Sequence, residues 1–225
     1  MVLGLGDSIL CGPDEGAFGV PPRAWPQWLA EVLDLPFHRV AAAGALTPWM
    51  ASELAPRVRD GTAIACVHVG TNDVRSMAWD PAAFSGALSE ILAVCAARAE
   101  RTCVATVPLD LGRPRAGAKV AECNAIVRRV AAGAGAAVVA IDDLRGWRLF
   151  FPDAVHPTAL GQLEIADRAA AALGLEARPS ALAGPVRGLR ADLRYGLGRQ
   201  VAHLARDWRR RAVERRALSQ PSTTP

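Results

Sequence analysis

Several features that would direct this chain to a membrane, a metal site or an oxidising compartment are missing. No apolar run in its 225 residues approaches the roughly 20 that a spanning helix needs. No charged segment followed by a long apolar stretch opens the chain, because Met1 leads directly into Val2, Leu3, Gly4 and Leu5. A signal peptide is therefore not expected, and the expected localisation is cytoplasmic. The five cysteines (Cys11, Cys66, Cys95, Cys103 and Cys123) are an odd number, widely spaced, with no C-x-x-C pair. That argues against a disulfide framework and against a zinc site. Cys66 and Cys103 lie within apolar runs and are expected to be buried free thiols. Lysine is nearly absent, one against 25 arginines, which marks a GC-rich genome and carries no functional signal. No internal repeat is visible.

What is present is a core-forming sequence. Apolar residues make up 51% of the chain, and its length suits one well-buried domain better than two. Short apolar runs at 2–5, 37–42, 63–69, 103–107 and 137–141 read as strands. Helical stretches are expected at 25–33, 48–59, 81–99, 117–132 and 158–173, with Pro81 suited to a first helical turn. Five strands alternating with helices predict an α/β fold, a three-layer α/β/α sandwich around a mostly parallel five-stranded sheet. Continuously apolar strands fit burial on both faces. Ligands of such sheets sit at the carboxyl ends of the strands.

Residues 1–175 are expected to form this domain and 176–225 a basic C-terminal helical extension with a frayed end. The extension holds 11 arginines and four acids, a net +7, whereas residues 1–175 carry −3. Pro179, Gly184 and Pro185 break the helical pattern at the boundary. Beyond it, Val186, Leu189, Leu193, Leu197, Val201, Leu204 and Trp208 recur at three- and four-residue steps opposite arginines. Three readings of this 186–216 helix stay open: docking on the main domain, peripheral binding to an acidic membrane surface, and self-association. Nucleic acid is not an expected partner, since few aromatic residues there could stack on bases.

Three short motifs carry chemistry. Gly6-Asp7-Ser8-Ile9 follows the first strand, where a tight turn can lift Ser8 above the sheet edge; the alternative is an ordinary turn or a helix N-cap. Gly70-Thr71-Asn72-Asp73 follows the third strand. The Asn72 amide brings two donors that can meet a developing oxyanion, although such turns are common. Asp153-Ala154-Val155-His156-Pro157 follows the fifth strand. A carboxylate three residues before an imidazole can fix one ring nitrogen and leave the other to take a serine proton. Pro157 holds His156 extended, as on a positioned loop. All three fall at carboxyl ends of predicted strands, in the order nucleophile, Asn turn, Asp-x-x-His.

In that combination the sequence resembles the SGNH (GDSL-like) hydrolase family, whose named blocks centre on Ser, Gly, Asn and His. Gly6-Asp7-Ser8 matches the first block, Gly44 is the candidate for the second, Gly70-x-Asn72-Asp73 matches the third, and Asp153-x-x-His156-Pro157 the last. The resemblance spans about residues 1–175. It departs at Ile9, where the family's usual name implies Leu, and at Arg39 to Ala43, which lack the Asn and Gly that often precede the oxyanion glycine. It implies a serine esterase or acylhydrolase acting on a small-molecule ester, an O-acyl carbohydrate or a lipid-like ester, through an acyl-enzyme on Ser8. His156 would be base and then acid, with Asp153 orienting it. The Ser8 and Gly44 amides and the Asn72 side chain would hold the oxyanion. No metal and no cofactor are implied. An acyltransferase passing the group to a sugar or other alcohol remains an alternative, as does a non-catalytic binding module on the same fold.

Other residues admit simpler readings. His68, on the third strand, is expected in the core or supporting the site. Asp7 and Asp73 are expected to bond neighbouring amides. Trp25, Trp28, Trp49 and Trp79 either wall a ligand pocket or pack ordinarily. Residues 109–115 read as a mobile loop at the site mouth, with Arg113 and Arg115 available to an anionic substrate.

Overall fold

A computed structural model describes residues 1–184 and Val201. Five parallel strands, β1 (Val2–Gly6), β2 (Phe37–Ala41), β3 (Thr62–His68), β4 (Ala99–Ala105) and β5 (Ala137–Val139), form one sheet in the order β2-β1-β3-β4-β5. The helices are α1 (Ser8–Cys11), α2 (Trp25–Val32), α3 (Thr47–Glu53), α4 (Pro81–Arg98), α5 (Ala118–Ala134) and α6 (Ala159–Ala172).

Alternation along the buried strands divides the core between the two faces. Leu3, Leu5, Ala65, Val67 and Val104 meet Met50 of α3, Leu88 and Ile91 of α4 and Val127 of α5. Val2, Ile64, Cys66 and Cys103 meet Trp25 and Trp28 of α2 and Leu163 and Ala166 of α6. This is the α/β/α sandwich expected from the pattern of apolar runs. Local chemistry sets the helix ends. Asp80 caps α4 by accepting from the Ala82 and Ala83 amides at 2.9 and 3.0 Å, with Pro81 in the first turn. Gly135, in the left-handed region at φ 66°, closes α5.

The expected helix at 48–59 is shorter than its pattern. α3 ends at Glu53 and a 3-10 turn, Ala55–Arg57, follows. Pro56 has no amide hydrogen to continue the ladder and its ring crowds the preceding turn, so the α-helix stops before it. β4 begins at Ala99, four residues earlier than expected, and ends at Ala105. Thr106 leaves the sheet: its amide and hydroxyl bond the Val139 carbonyl, Asp142 and the Ile141 amide.

The expected extension begins at 176, and only its first residues are described. A 3-10 turn, Pro179–Leu182, buries Pro179, and the Ser180 amide donates to Asp167 of α6 at 2.9 Å. Apart from Val201, the proposed 186–216 helix lies outside the described residues. Among the described residues no helix is long and apolar enough to cross a membrane. Cys66, Cys95, Cys103 and Cys123 are buried free thiols, and Cys11 is exposed.

Candidate active site

Strand register brings the motifs together. Gly6 of β1 pairs with Ala41 of β2 on one side and with His68 of β3 on the other. Ser8, Gly44 and Asn72 therefore leave the same sheet edge two, three and four residues beyond neighbouring positions. Asp7 is the N-cap of α1, accepting from the Ile9 amide at 2.9 Å, so the motif is both a cap and a presenter of Ser8 in the first helical turn. Gln162 of α6 anchors that turn from across the molecule. It accepts from the Trp25 amide at 2.9 Å and donates to the Ile9 carbonyl at 2.8 Å.

His156 is carried on a hairpin-like loop closed by a bridge between Phe150 and Pro157 and by the Phe151 amide bonding the His156 carbonyl at 2.9 Å. Asp153 Oδ1 accepts from the amides of Val155 and His156 at 2.9 and 3.1 Å. Ala154 between them takes φ 53°, a left-handed conformation unusual for a residue with a Cβ, held by this bonding. Asp153 Oδ2 lies 2.7 Å from His156 Nδ1, and Ser8 Oγ lies 2.9 Å from His156 Nε2. Burial pushes the Asp153 carboxyl up, but the hydrogen bond and charge of His156 and the two amides outweigh it and hold it below its usual value. An ionised carboxylate only accepts, so Nδ1 carries the proton and Nε2 is free to accept from the Ser8 hydroxyl.

The second and third motifs are tied to each other. Asp73 accepts from the Thr47 amide at 3.0 Å and the Thr47 hydroxyl at 2.9 Å, clamping the β3 loop onto the start of α3. Asn72 Nδ2 donates to the Ala45 carbonyl at 3.0 Å, which uses one of its two hydrogens. Gly44 takes φ 77°, a conformation that suits glycine. Among the described residues the backbone amides of Ser8 and Gly44 donate to no protein acceptor. Together with the second Asn72 hydrogen, three donors are left unclaimed around the Ser8 edge.

Ser8, Asp153 and His156 line a pocket of about 310 Å³ shared with Gly12, Phe151 and Gln162. Among the described residues no group of three or more His, Cys, Asp or Glu side chains is arranged to hold a metal ion. The four indoles divide between the two readings left open for them. Trp25 and Trp28 are fully buried in the core, packed under α6, and so wall no pocket. Trp79 is half-buried, donating to Glu122 at 2.8 Å, while Trp49 stays 46% exposed beyond Gly44. Trp147, which the motifs did not single out, is 47% exposed on the loop that carries His156. Residues 109–115 are anchored by buried Leu111 and by the Gly112 amide bonding the Ala154 carbonyl at 2.9 Å.

Two buried titratable groups flank the Ser8 turn with opposite effects. Burial raises Asp7 to about 6, against opposition from the Ile9 amide, Thr71 and the charge of His156. Burial lowers His68 to about 4. Native Asp7 thus takes a proton before the unfolded chain does. It adds stability as pH falls through 6, and that contribution is lost again as pH rises. His68 does the reverse: its neutral burial supports folding above about 6.5 and this support fades as pH falls towards 4. Asp7→Asn keeps the capping oxygen and removes one arm of this balance. Relative to the parent protein, the variant should lose about 2 kcal/mol more stability between pH 6.5 and pH 4. Urea unfolding at the two pH values measures this, and parallel losses in both proteins would refute it.

A parallel α/β/α sandwich with a Ser-His-Asp hydrogen-bonded chain at its carboxyl edge is an arrangement found in serine-dependent hydrolases. The sequence profile of the GDSL-like Lipase/Acylhydrolase family matches residues 5–163, and the chain belongs to that family. It is an ester hydrolase. Among solved structures, Axe2, an acetylxylan esterase from Geobacillus stearothermophilus, is similar with a TM-score of 0.60 at 16% identity, over 78% of this chain and 94% of that one. LAE5, an alpha/beta hydrolase enzyme from the metagenome of Lake Arreo, Spain, gives a TM-score of 0.60 at 18% identity, over 77% and 94%. At these identities the likeness carries the fold alone. No curated protein is significantly similar in sequence.

Proposed function

We propose that the protein is a serine esterase that removes a short acyl group from a carbohydrate through an acyl-enzyme on Ser8. The observation that carries this is the unbroken chain from Ser8 Oγ to His156 Nε2 and from Nδ1 to Asp153, opening on one pocket. Ser8 Oγ attacks the acyl carbon as its proton passes to His156 Nε2. Asp153 keeps the imidazole oriented and stabilises it once it is charged. The carbonyl oxygen, now an anion, is met by the Ser8 and Gly44 amides and the remaining Asn72 hydrogen. The tetrahedral centre collapses, the ester C–O bond breaks, and the leaving alcohol takes the proton from His156. Water then repeats the sequence, its proton going to His156, and releases the acid and free Ser8.

The sugar assignment rests on two exposed indoles, Trp49 five residues beyond Gly44 and Trp147 on the loop that carries His156. One solved neighbour points the same way. Axe2 is an acetylxylan esterase, and its catalytic mutants replace a serine, an aspartate and a histidine, the latter two spaced as Asp153 and His156 are. Acetyl, butyryl and palmitoyl esters of one sugar test the reading. Acetyl should be cleaved fastest, with kcat/KM at least about tenfold lower for palmitoyl, because a pocket of about 310 Å³ covers only part of a long chain. Palmitoyl cleaved as fast as acetyl would refute the short-acyl assignment and favour a lipid-like ester.

A further inference from the structure

A second hollow of about 150 Å³ adjoins the pocket that holds Ser8, and the two share Phe151 as a common wall. It lies between the loops that follow β4 and β5, lined by Arg113, Arg145, Trp147 and Phe150 among others. Its electrostatics differ from those of its neighbour. The Ser8 pocket is edged by three acids, Asp14, Glu15 and Asp153. Among the described residues Asp110 is the only acid on the wall of the second hollow, and both Arg113 and Arg115 pair with it at 2.8 Å. Arg145 has Asp143 nearby, but Arg168 already engages both oxygens of that carboxylate. Arg168 is itself shared with Glu164, so the excess of positive charge rests on the lining, where two guanidiniums, Arg113 and Arg145, meet the single carboxylate of Asp110.

Position assigns the hollow to one half of the substrate, provided the acyl-enzyme reading above holds. The unclaimed amide donors lie at Ser8, Gly44 and Asn72, just beyond β1, β2 and β3. The carbonyl oxygen must face them. The leaving oxygen must face His156, which protonates it, and His156 stands on the loop after β5. The alcohol therefore departs on the β4–β5 side, where the second hollow is lined by Pro152 and Ala154 on either side of Asp153. Trp147, 47% exposed and in edge contact with Phe18, lines the hollow and brings apolar ring surface to it, the kind of surface on which the C–H face of a sugar packs.

We propose that this hollow is the leaving-group subsite and that it takes a sugar bearing a carboxylate, seated against Trp147 with its acid group at Arg145 and Arg113. Acidic edges on the Ser8 pocket and basic ones here would orient such a substrate in a single direction.

Acetate release from monoacetylated glucuronic acid and from monoacetylated glucose, which differ in the carboxylate, tests this directly. At low ionic strength kcat/KM for the acidic sugar should exceed that for the neutral one by about tenfold. Arg145→Gln should bring that ratio below about threefold, and about 0.5 M NaCl should compress it in the parent enzyme. Fluorophosphonate labelling of Ser8 is followed in parallel. A ratio at or below one in enzyme that labels normally overturns the subsite and leaves the nucleophile standing. An unchanged ratio in Arg145→Gln overturns it as well. Absence of labelling would instead overturn the acyl-enzyme reading on which the subsite rests.

Discussion

Ser8→Ala should lower kcat for ester hydrolysis by about 10⁴-fold or more and abolish fluorophosphonate labelling, while the melting temperature stays near that of the parent. The hydroxyl is half-buried and makes one side-chain bond, to His156, so its loss removes little from the fold. Its chemical role has no substitute nearby. The cysteine on the same helix is Cys11, one turn along α1, and burial pushes that thiol up despite the opposing Arg39, so the reactive thiolate is scarce at neutral pH. His156 would remain oriented by Asp153 with nothing to deprotonate but water. Hydrolysis at the parent rate in the variant would remove Ser8 from the mechanism. Loss of activity together with a large drop in melting temperature would show that the serine acts through the fold.

The parts of the site that could be read in the sequence share one property: each is a short polar run placed directly after an apolar strand. Ser8, Asn72 and the Asp153–His156 pair need only the strand positions and the parallel topology to fall on one edge. Interactions that depend on a distant partner were not legible. Gln162 sits on an apolar face of α6, where nothing local indicates that it bonds Ile9, 153 residues away. Trp25 and Trp28 lie near Ser8 in the chain, yet α6 covers them and takes them out of the pocket. Trp147 carries the opposite lesson: it belongs to a loop without a motif, and exposure alone draws attention to it. The two-sided charge of the site was equally hidden. Arg113 and Arg115 were visible as a basic pair, but their pairing with Asp110 and the meeting of Arg113 and Arg145 at one hollow come from the folded loops.

The glycine that opens the Ser8 motif should prove as indispensable to the fold as Ser8 is to the chemistry. A Cβ on Gly6 would lie 2.1 Å from the His68 carbonyl oxygen and 3.0 Å from its carbonyl carbon. Both are backbone atoms of the neighbouring strand, in register with Gly6 itself, so no side-chain rotation relieves the overlap. β1 and β3 would have to separate where the Asp7 amide reaches the same oxygen at 3.4 Å, one residue before Ser8. Gly6→Ala should therefore destabilise the protein by about 3 kcal/mol or more, read as a lower urea midpoint. Labelling of Ser8 should also slow in the fraction that stays folded, because the turn presenting it has shifted. Gly86→Ala is the control. That glycine lies within α4 with open space where a methyl group would project, and the substitution should add roughly 0.5–1 kcal/mol through helix propensity. If Gly6→Ala unfolds at the parent midpoint, the close approach of β1 and β3 is not what requires glycine in the motif. The requirement would then lie in the turn itself, and Ser8 labelling in the Gly6→Ala protein would report it without any loss of stability.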